Sequence, residues 1–235
     1  MGLLSEAMLR RVARHCGLGS RTRVLTLGFD GGSAPAFLAK EYGAKVVAGD
    51  AEEEAVLRQR NALREHGADD RVSTRRVDYE RLPFGDQEFE AILVEVLAMR
   101  LDAAARGLRR HLALQGRLAL MQPVRVGRFP NPAMVRMWEQ KIGEPLLLPS
   151  ECLQLIEREG YEPQAAEVLD DAALDAYYQQ LEQFKRANGD PSASAAVDEE
   201  VALFRSQGGR SGASFAVLVA RRRESGEKPP VARGE

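Results

Sequence analysis

The stretch from Val24 to Asp50, VLTLGFDGGSAPAFLAKEYGAKVVAGD, limits the fold more than any other part of this chain. It reads as strand, glycine-rich turn, helix, strand. Arg23 to Leu27 is a short, mostly apolar run closed by Gly28, the pattern of a central strand covered on both faces. Gly28, Gly31 and Gly32 allow a sharp turn and a close approach of backbone to a ligand. A helix then opens at Ser33 or Ala34, with Pro35 in its first turn and Gly43 at its C-terminal end. Lys45 to Gly49 is a second strand, and Asp50 stands at its carboxyl end. A unit of this kind begins a doubly wound α/β sheet.

Asp50 follows Gly28 by 22 residues, the spacing at which such sheets carry an acid for a ribose hydroxyl pair. The same residue precedes Glu52 and Glu53, so an N-cap with Glu53 completing a capping box is also open. A nicotinamide or flavin dinucleotide is disfavoured. Its G-x-G-x-x-G fingerprint, started at Gly28, needs glycines where Asp30 and Ser33 stand, and an aspartate there repels a pyrophosphate. The chain also has no G-x-x-x-x-G-K-[ST] run for cradling a triphosphate.

Further segments follow in a recognisable order. They are Val77–Phe84 (VDYERLPF) with a fourth strand from Phe89 to Glu95, then LALQGRLAL from Leu112 to Leu120. A helix, ECLQLIEREGY, runs from Glu151 to Tyr161, and a last strand, SFAVLVARR, from Ser214 to Arg222. With the first turn, this order resembles the class I S-adenosylmethionine-dependent methyltransferases, whose motifs read V-L-D-L-G-x-G-x-G, G-D-A-x-x-L-P-F and L-K-P-G-G-R-L-x-L. The resemblance covers about residues 10 to 222 and implies a mostly parallel seven-stranded sheet, doubly wound and Rossmann-like. It implies S-adenosylmethionine as cofactor and a small molecule as acceptor. Gly28 and Gly32 would approach the methionine part, Asp50 would hold the ribose, and Asp78 would accept from the adenine amine with the Tyr79 backbone beside the ring.

Three residues depart from the family pattern. Thr26 stands where an acid usually helps hold the methionine amino group, Asp30 replaces a glycine, and Ala51 offers adenine only a small apolar face. Asp30 taking over the amino-group role, a different ligand, and a decayed pocket all fit these facts. The enzymatic reading therefore has a rival, a non-catalytic module of the same fold that binds a partner.

Composition narrows the alternatives. Thirty-three basic against 35 acidic residues leave a net charge of −2, which gives no broad attraction to nucleic acid or anionic membrane. No apolar run reaches the length of a membrane span, and no leader is evident, so a cytoplasmic protein is expected. Cys16 and Cys152 fall on helices and read as reduced thiols, and three scattered histidines suggest no metal site. The arginines at 109–110 and 221–223 read as solvated element ends.

One domain over 1–223 is expected, with segments 125–149 and 171–207 covering the crevice and a disordered tail at 224–235. The first of those segments holds four prolines and no clean period. The second holds a helix from Asp171 to Asn188 and another from about Ala195 to Ser206. Candidates against an acceptor are Glu95, which could take a proton or steady a cationic amine, and Arg125, Arg128, Met134, Trp138, Tyr177 and Tyr178. Met134 and Trp138 also suit the apolar underside of a lid. Methyl transfer asks mainly for alignment of a nucleophile with the methyl–sulfur bond.

Overall fold

The computed structural model describes residues 4–29, 31–95, 100–127, 131–188, 191–206 and 212–224, with only the backbone course for 184–188 and 191–196. Strands β1 (Arg23–Leu27), β2 (Lys45–Asp50), β3 (Val72–Arg76), β4 (Phe89–Val94), β5 (Leu112–Arg125), β6 (Tyr161–Val168) and β7 (Ala213–Arg222) form one sheet. Its order is β3-β2-β1-β4-β5-β7-β6. The pairs from β3 across to β5 are parallel, and β7 runs antiparallel to both β5 and β6. The doubly wound, mostly parallel seven-stranded sheet expected from the sequence is therefore the architecture observed.

Helices cover both faces. On one lie α1 (Glu6–Cys16), α2 (Ser33–Tyr42), α5 (Pro132–Ile142), α7 (Asp171–Asn188) and α8 (Pro191–Ser206). They share a core with Val24, Leu93, Met121, Phe215 and Val217 from the sheet. On the other face α4 (Leu101–Leu108) and α6 (Pro149–Arg158) pack on Leu25, Leu27, Ile92, Leu118 and Leu218. Consecutive residues of β1 thus alternate between two apolar layers, and Thr26 falls on the layer of Val24. The helix α3 (Glu53–Glu65) follows β2 and supports the glycine turn from behind.

The segment 125–149 contains a helix that its mixed pattern hid. Asn131 caps α5 by accepting the Ala133 N–H at 2.9 Å, Pro132 opens it, and Gly143 ends it at φ 70°. Its buried face is Met134 and Trp138, one turn apart. The arginine clusters also differ from the sequence reading. Arg109 donates to the Arg223 carbonyl at 3.0 Å, Arg221 pairs with Glu162, and Arg223, only 6% exposed, pairs with Glu157 at 2.8 Å. These side chains fasten the last strand to β6 and α6. Only Arg110, on Asp86 at 3.0 Å, is the surface pair that the sequence suggests.

Gly49 shows how tightly the strand ends are packed. A Cβ there would lie 2.9 Å from Leu27 Cδ2 and 3.1 Å from Val77 Cγ2. Gly49→Ala should therefore lose about 1–3 kcal/mol of stability to overpacking, read as a shifted midpoint in chemical denaturation. An unchanged midpoint would mean that Leu27 and Val77 yield freely.

Candidate active site

Strand order reverses between β1 and β4, and open α/β sheets place ligands in the crevice outside the carboxyl ends of strands at such a point. At this edge β1 is followed by Gly28, whose φ of 80° turns the chain and whose N–H reaches the Gly49 carbonyl at 3.2 Å. Gly32, at φ 67°, precedes α2 as its N-cap. A Cβ on Gly32 would stand 3.1 Å from the Gln59 carbonyl and 3.2 Å from Ala62 Cβ, so α3 presses directly on the turn. The Gln59 amide, fully buried, donates to the Phe29 carbonyl at 3.1 Å and ties the turn to α3. Sequence reading overlooked Gln59. It was legible as the polar member of the stripe Ala55, Gln59, Leu63 at helical spacing.

Asp50 stands at the end of β2 with 7% exposure. Its Oδ1 accepts the Glu52 N–H at 3.0 Å. The N-cap of α3 is Glu52, which makes no side-chain cap bond, so the expected capping box from Asp50 to Glu53 does not form. The reason is geometric: Asp50 is still strand, bonded through its carbonyl to the Val77 N–H at 2.8 Å. Tyr79 brings more than its backbone. Its hydroxyl receives the Ala51 N–H at 3.3 Å and lies against the Asp50 carboxylate. Burial, and then the Asp50 charge, push the Tyr79 phenol well above its ordinary range. Asp78 is exposed and caps a turn, its Oδ1 accepting the Glu80 N–H at 3.0 Å. Asp50, Ala51 and Tyr79 thus come together, with Asp78 one residue away on the rim.

Across the switch point, the Glu95 N–H donates to the Leu27 carbonyl at 2.9 Å, extending the β1–β4 ladder to the level of the glycine turn. The Glu95 side chain is 8% exposed. Thr26, 1% exposed, has a hydroxyl with no hydrogen-bond partner among the described residues. Asp30 and Arg128 lie outside the described residues.

Helices α5, α7 and α8 form an aromatic cluster with β7. Trp138 meets Phe215 edge-on at 5.0 Å, Tyr177 meets Phe215 at 5.7 Å, and Tyr178 stacks on Phe204 at 3.9 Å. Met134 and Trp138 are buried in the core. Arg125 is half-buried, with its N–H on the Leu147 carbonyl at 2.8 Å. Glu200 of α8 is 1% exposed and accepts an ion pair from Lys141 of α5, whose ammonium lies 5.1 Å from the Trp138 ring centre. Burial first, then Glu200 and Glu95, push the Tyr177 phenol up, so this ring stands in the field of both acids. Neither Glu200 nor Lys141 stood out in the sequence, because each looks like an ordinary charge on an amphipathic helix.

Other features fall outside this constellation. A depression of about 540 Å3 opens at the amino-terminal ends of the strands, lined by Arg23, Lys45, Asp69, Asp70 and Arg71. Two of its cations are paired, Arg23 with Glu90 at 3.3 Å and Arg71 with Asp70 at 3.9 Å. No group of three or more metal-ligating side chains occurs among the described residues. No described helix is long and apolar enough to cross a membrane.

Residues 24–116 match the family model of a methyltransferase domain. Over that stretch the chain is similar to methyltransferase domains. The match spans the glycine turn, Asp50, Asp78, Tyr79 and Glu95, and solved structures extend the likeness beyond it. A methyltransferase from Geobacter sulfurreducens, described as S-adenosylmethionine-dependent and solved with S-adenosylhomocysteine, is 18% identical. The alignment covers 94% of this chain and 93% of that one at a TM-score of 0.74. Geranyl diphosphate C-methyltransferase from Streptomyces coelicolor is 17% identical over 92% of this chain and 78% of its own, with a TM-score of 0.67. The [4+2]-cyclase SpnF is 18% identical over 94% and 81%, with a TM-score of 0.71. No curated protein matches the chain by sequence. At these identities the solved structures establish the fold, and the domain match ties residues 24–116 to methyltransferases.

Proposed function

We propose that the protein transfers a methyl group from S-adenosylmethionine to a small-molecule acceptor. The observation that carries this reading is the buried Asp50 carboxylate beside the glycine turn, within a matched methyltransferase domain. The donor set suits the cofactor. A ribose diol wants a fixed acceptor, and Asp50 offers one that the Glu52 N–H orients. The Thr26 hydroxyl is a buried acceptor left unmatched among the described residues, the kind of atom a bound ligand satisfies.

When bound, S-adenosylmethionine supplies an electrophilic methyl group on a sulfonium. The residues of this chain do the rest. Gly28 and Gly32 let the backbone come close, Asp50 fixes the ribose, and Ala51, Asp78 and Tyr79 border the adenine. Trp138, Tyr177 and Phe215 wall off water from the side where the acceptor would lie. Holding acceptor and donor in line supplies much of the barrier reduction for a displacement. We read residues 1–223 as one domain with 125–149 and 171–207 over the crevice. We place the protein in the cytoplasm. Burial pushes the thiols of both Cys16 and Cys152 up to about 12, and two unpaired, protonated cysteines suit a reducing compartment.

The second reading is a binding module of the same fold. Thr26 in place of an acid favours it, and the cyclase SpnF shows that this fold serves other chemistry. Calorimetric titration with S-adenosylmethionine and S-adenosylhomocysteine separates the two. Micromolar binding, about −8 kcal/mol, is the expected result. No heat and no thermal protection at millimolar ligand would overturn the enzymatic reading.

A further inference from the structure

We propose that Glu95, together with the Thr26 hydroxyl, forms the socket for the α-ammonium group of the cofactor's methionine. This rests on the cofactor reading above and deepens it. The register of the sheet places the two groups side by side. Thr26 lies opposite Leu93 in the parallel β1–β4 pair. Residues 93 and 95 share a face, because side chains alternate along a strand. The ladder does not stop at Leu93, since the Glu95 N–H bonds the Leu27 carbonyl. Glu95 and Thr26 therefore project to the same layer, on adjacent strands, at the level where Gly28 turns the chain. Strand spacing and rise put their Cα atoms about 8 Å apart, a separation that two side chains holding one ammonium group can span.

The chemistry of the two groups is complementary to such a cation. An ammonium carries three N–H donors and no acceptor, so its site must consist of acceptors. A carboxylate that is 8% exposed gives a charge-assisted bond in a medium where that bond is strong. A threonine oxygen with no partner among the described residues gives a second bond. The negative charge that the resemblance places at position 26 of β1 would then stand one strand over, on β4. A general-base role for Glu95 would leave Thr26 unexplained, whereas the socket uses both residues. The Glu95 charge also acts on the Tyr177 phenol, as does that of Glu200.

The test compares two ligands on wild-type protein and on Glu95→Gln, Thr26→Val and Asp30→Asn. S-adenosylhomocysteine carries the ammonium; 5′-methylthioadenosine keeps the adenosine and lacks it. Glu95→Gln should weaken S-adenosylhomocysteine at least tenfold and leave 5′-methylthioadenosine within twofold. Thr26→Val should weaken the same ligand several-fold, while the melting temperature of the free protein stays level or rises because an unsatisfied buried hydroxyl is gone. Two results would overturn the socket: unchanged S-adenosylhomocysteine affinity in Glu95→Gln, or equal loss of both ligands in that variant. A loss confined to Asp30→Asn would move the role to Asp30 and overturn it as well. If neither ligand binds the wild type, the cofactor reading fails first and takes the socket with it.

Discussion

Lys141→Met is expected to destabilise the packing of α5 on α8 by about 2–3 kcal/mol, lowering the melting temperature and opening both helices to hydrogen exchange. The reason lies with Glu200. This carboxylate is 1% exposed, and one of its oxygens, Oε1, has no hydrogen-bond partner among the described residues. Its other oxygen is held by the Lys141 ammonium, which also sits over the Trp138 ring. Removing one member of a fully buried pair costs about 3–5 kcal/mol. The Lys141 side chain is 36% exposed, so solvent already screens part of the attraction and the lower range applies. Without the ammonium the buried carboxylate keeps only the Tyr178 hydroxyl as a partner among the described residues, and Lys141→Met/Glu200→Gln should recover most of the deficit. A deficit that the double variant does not recover would mean that lost packing on Trp138, not charge, is responsible.

Much of this architecture is legible in the residues because local and long-range signals agree there. The unit from Val24 to Asp50 carries period, turn and cap together, and it forms β1, α2 and β2. The helix Asp171–Asn188 lies where its apolar spacing puts it. The helix α5 was readable too, from Asn131-Pro132 at its start and Gly143 at its end, but four nearby prolines mask a buried face only two residues wide. The arginines of 221–223 could not be resolved in this way. Their partners, Glu162 and Glu157, lie about sixty residues upstream, and only the antiparallel return of β7 brings them together.

The candidate site divides along the same line. Gly28, Gly32 and Asp50 are fixed by one contiguous unit, so spacing alone places them at one edge. Tyr79 was read through its backbone, yet its hydroxyl reaches Ala51 and Asp50 because the chain after β3 folds back over the end of β2. The pairing of Glu95 with Thr26 in one layer depends on sheet register, which no short motif encodes. Glu200 depends on three helices meeting and carries no sequence signal of its own.

Asp50→Ala should reduce affinity for S-adenosylhomocysteine by about 30- to 150-fold, equivalent to about 2–3 kcal/mol for losing charge-assisted bonds to a diol. Stability of the free protein should fall far less, by about 1 kcal/mol, because the structural duty of this carboxylate is limited to the partly exposed Glu52 N–H and the Tyr79 hydroxyl. Asp50→Asn divides the two duties. An amide oxygen still accepts from Glu52, so the melting temperature should stay near wild type, while affinity drops because the charge and one acceptor are gone. Tyr79→Phe gives the control on the neighbouring hydroxyl: it removes the contact with Asp50 and the acceptor for the Ala51 N–H without touching the carboxylate. Affinity in Tyr79→Phe should hold within a few-fold if Asp50 is the ribose acid. Should Asp50→Ala bind as well as wild type while Tyr79→Phe fails, the ribose contact belongs to the phenol. Asp50 would then serve only to shape the turn into α3.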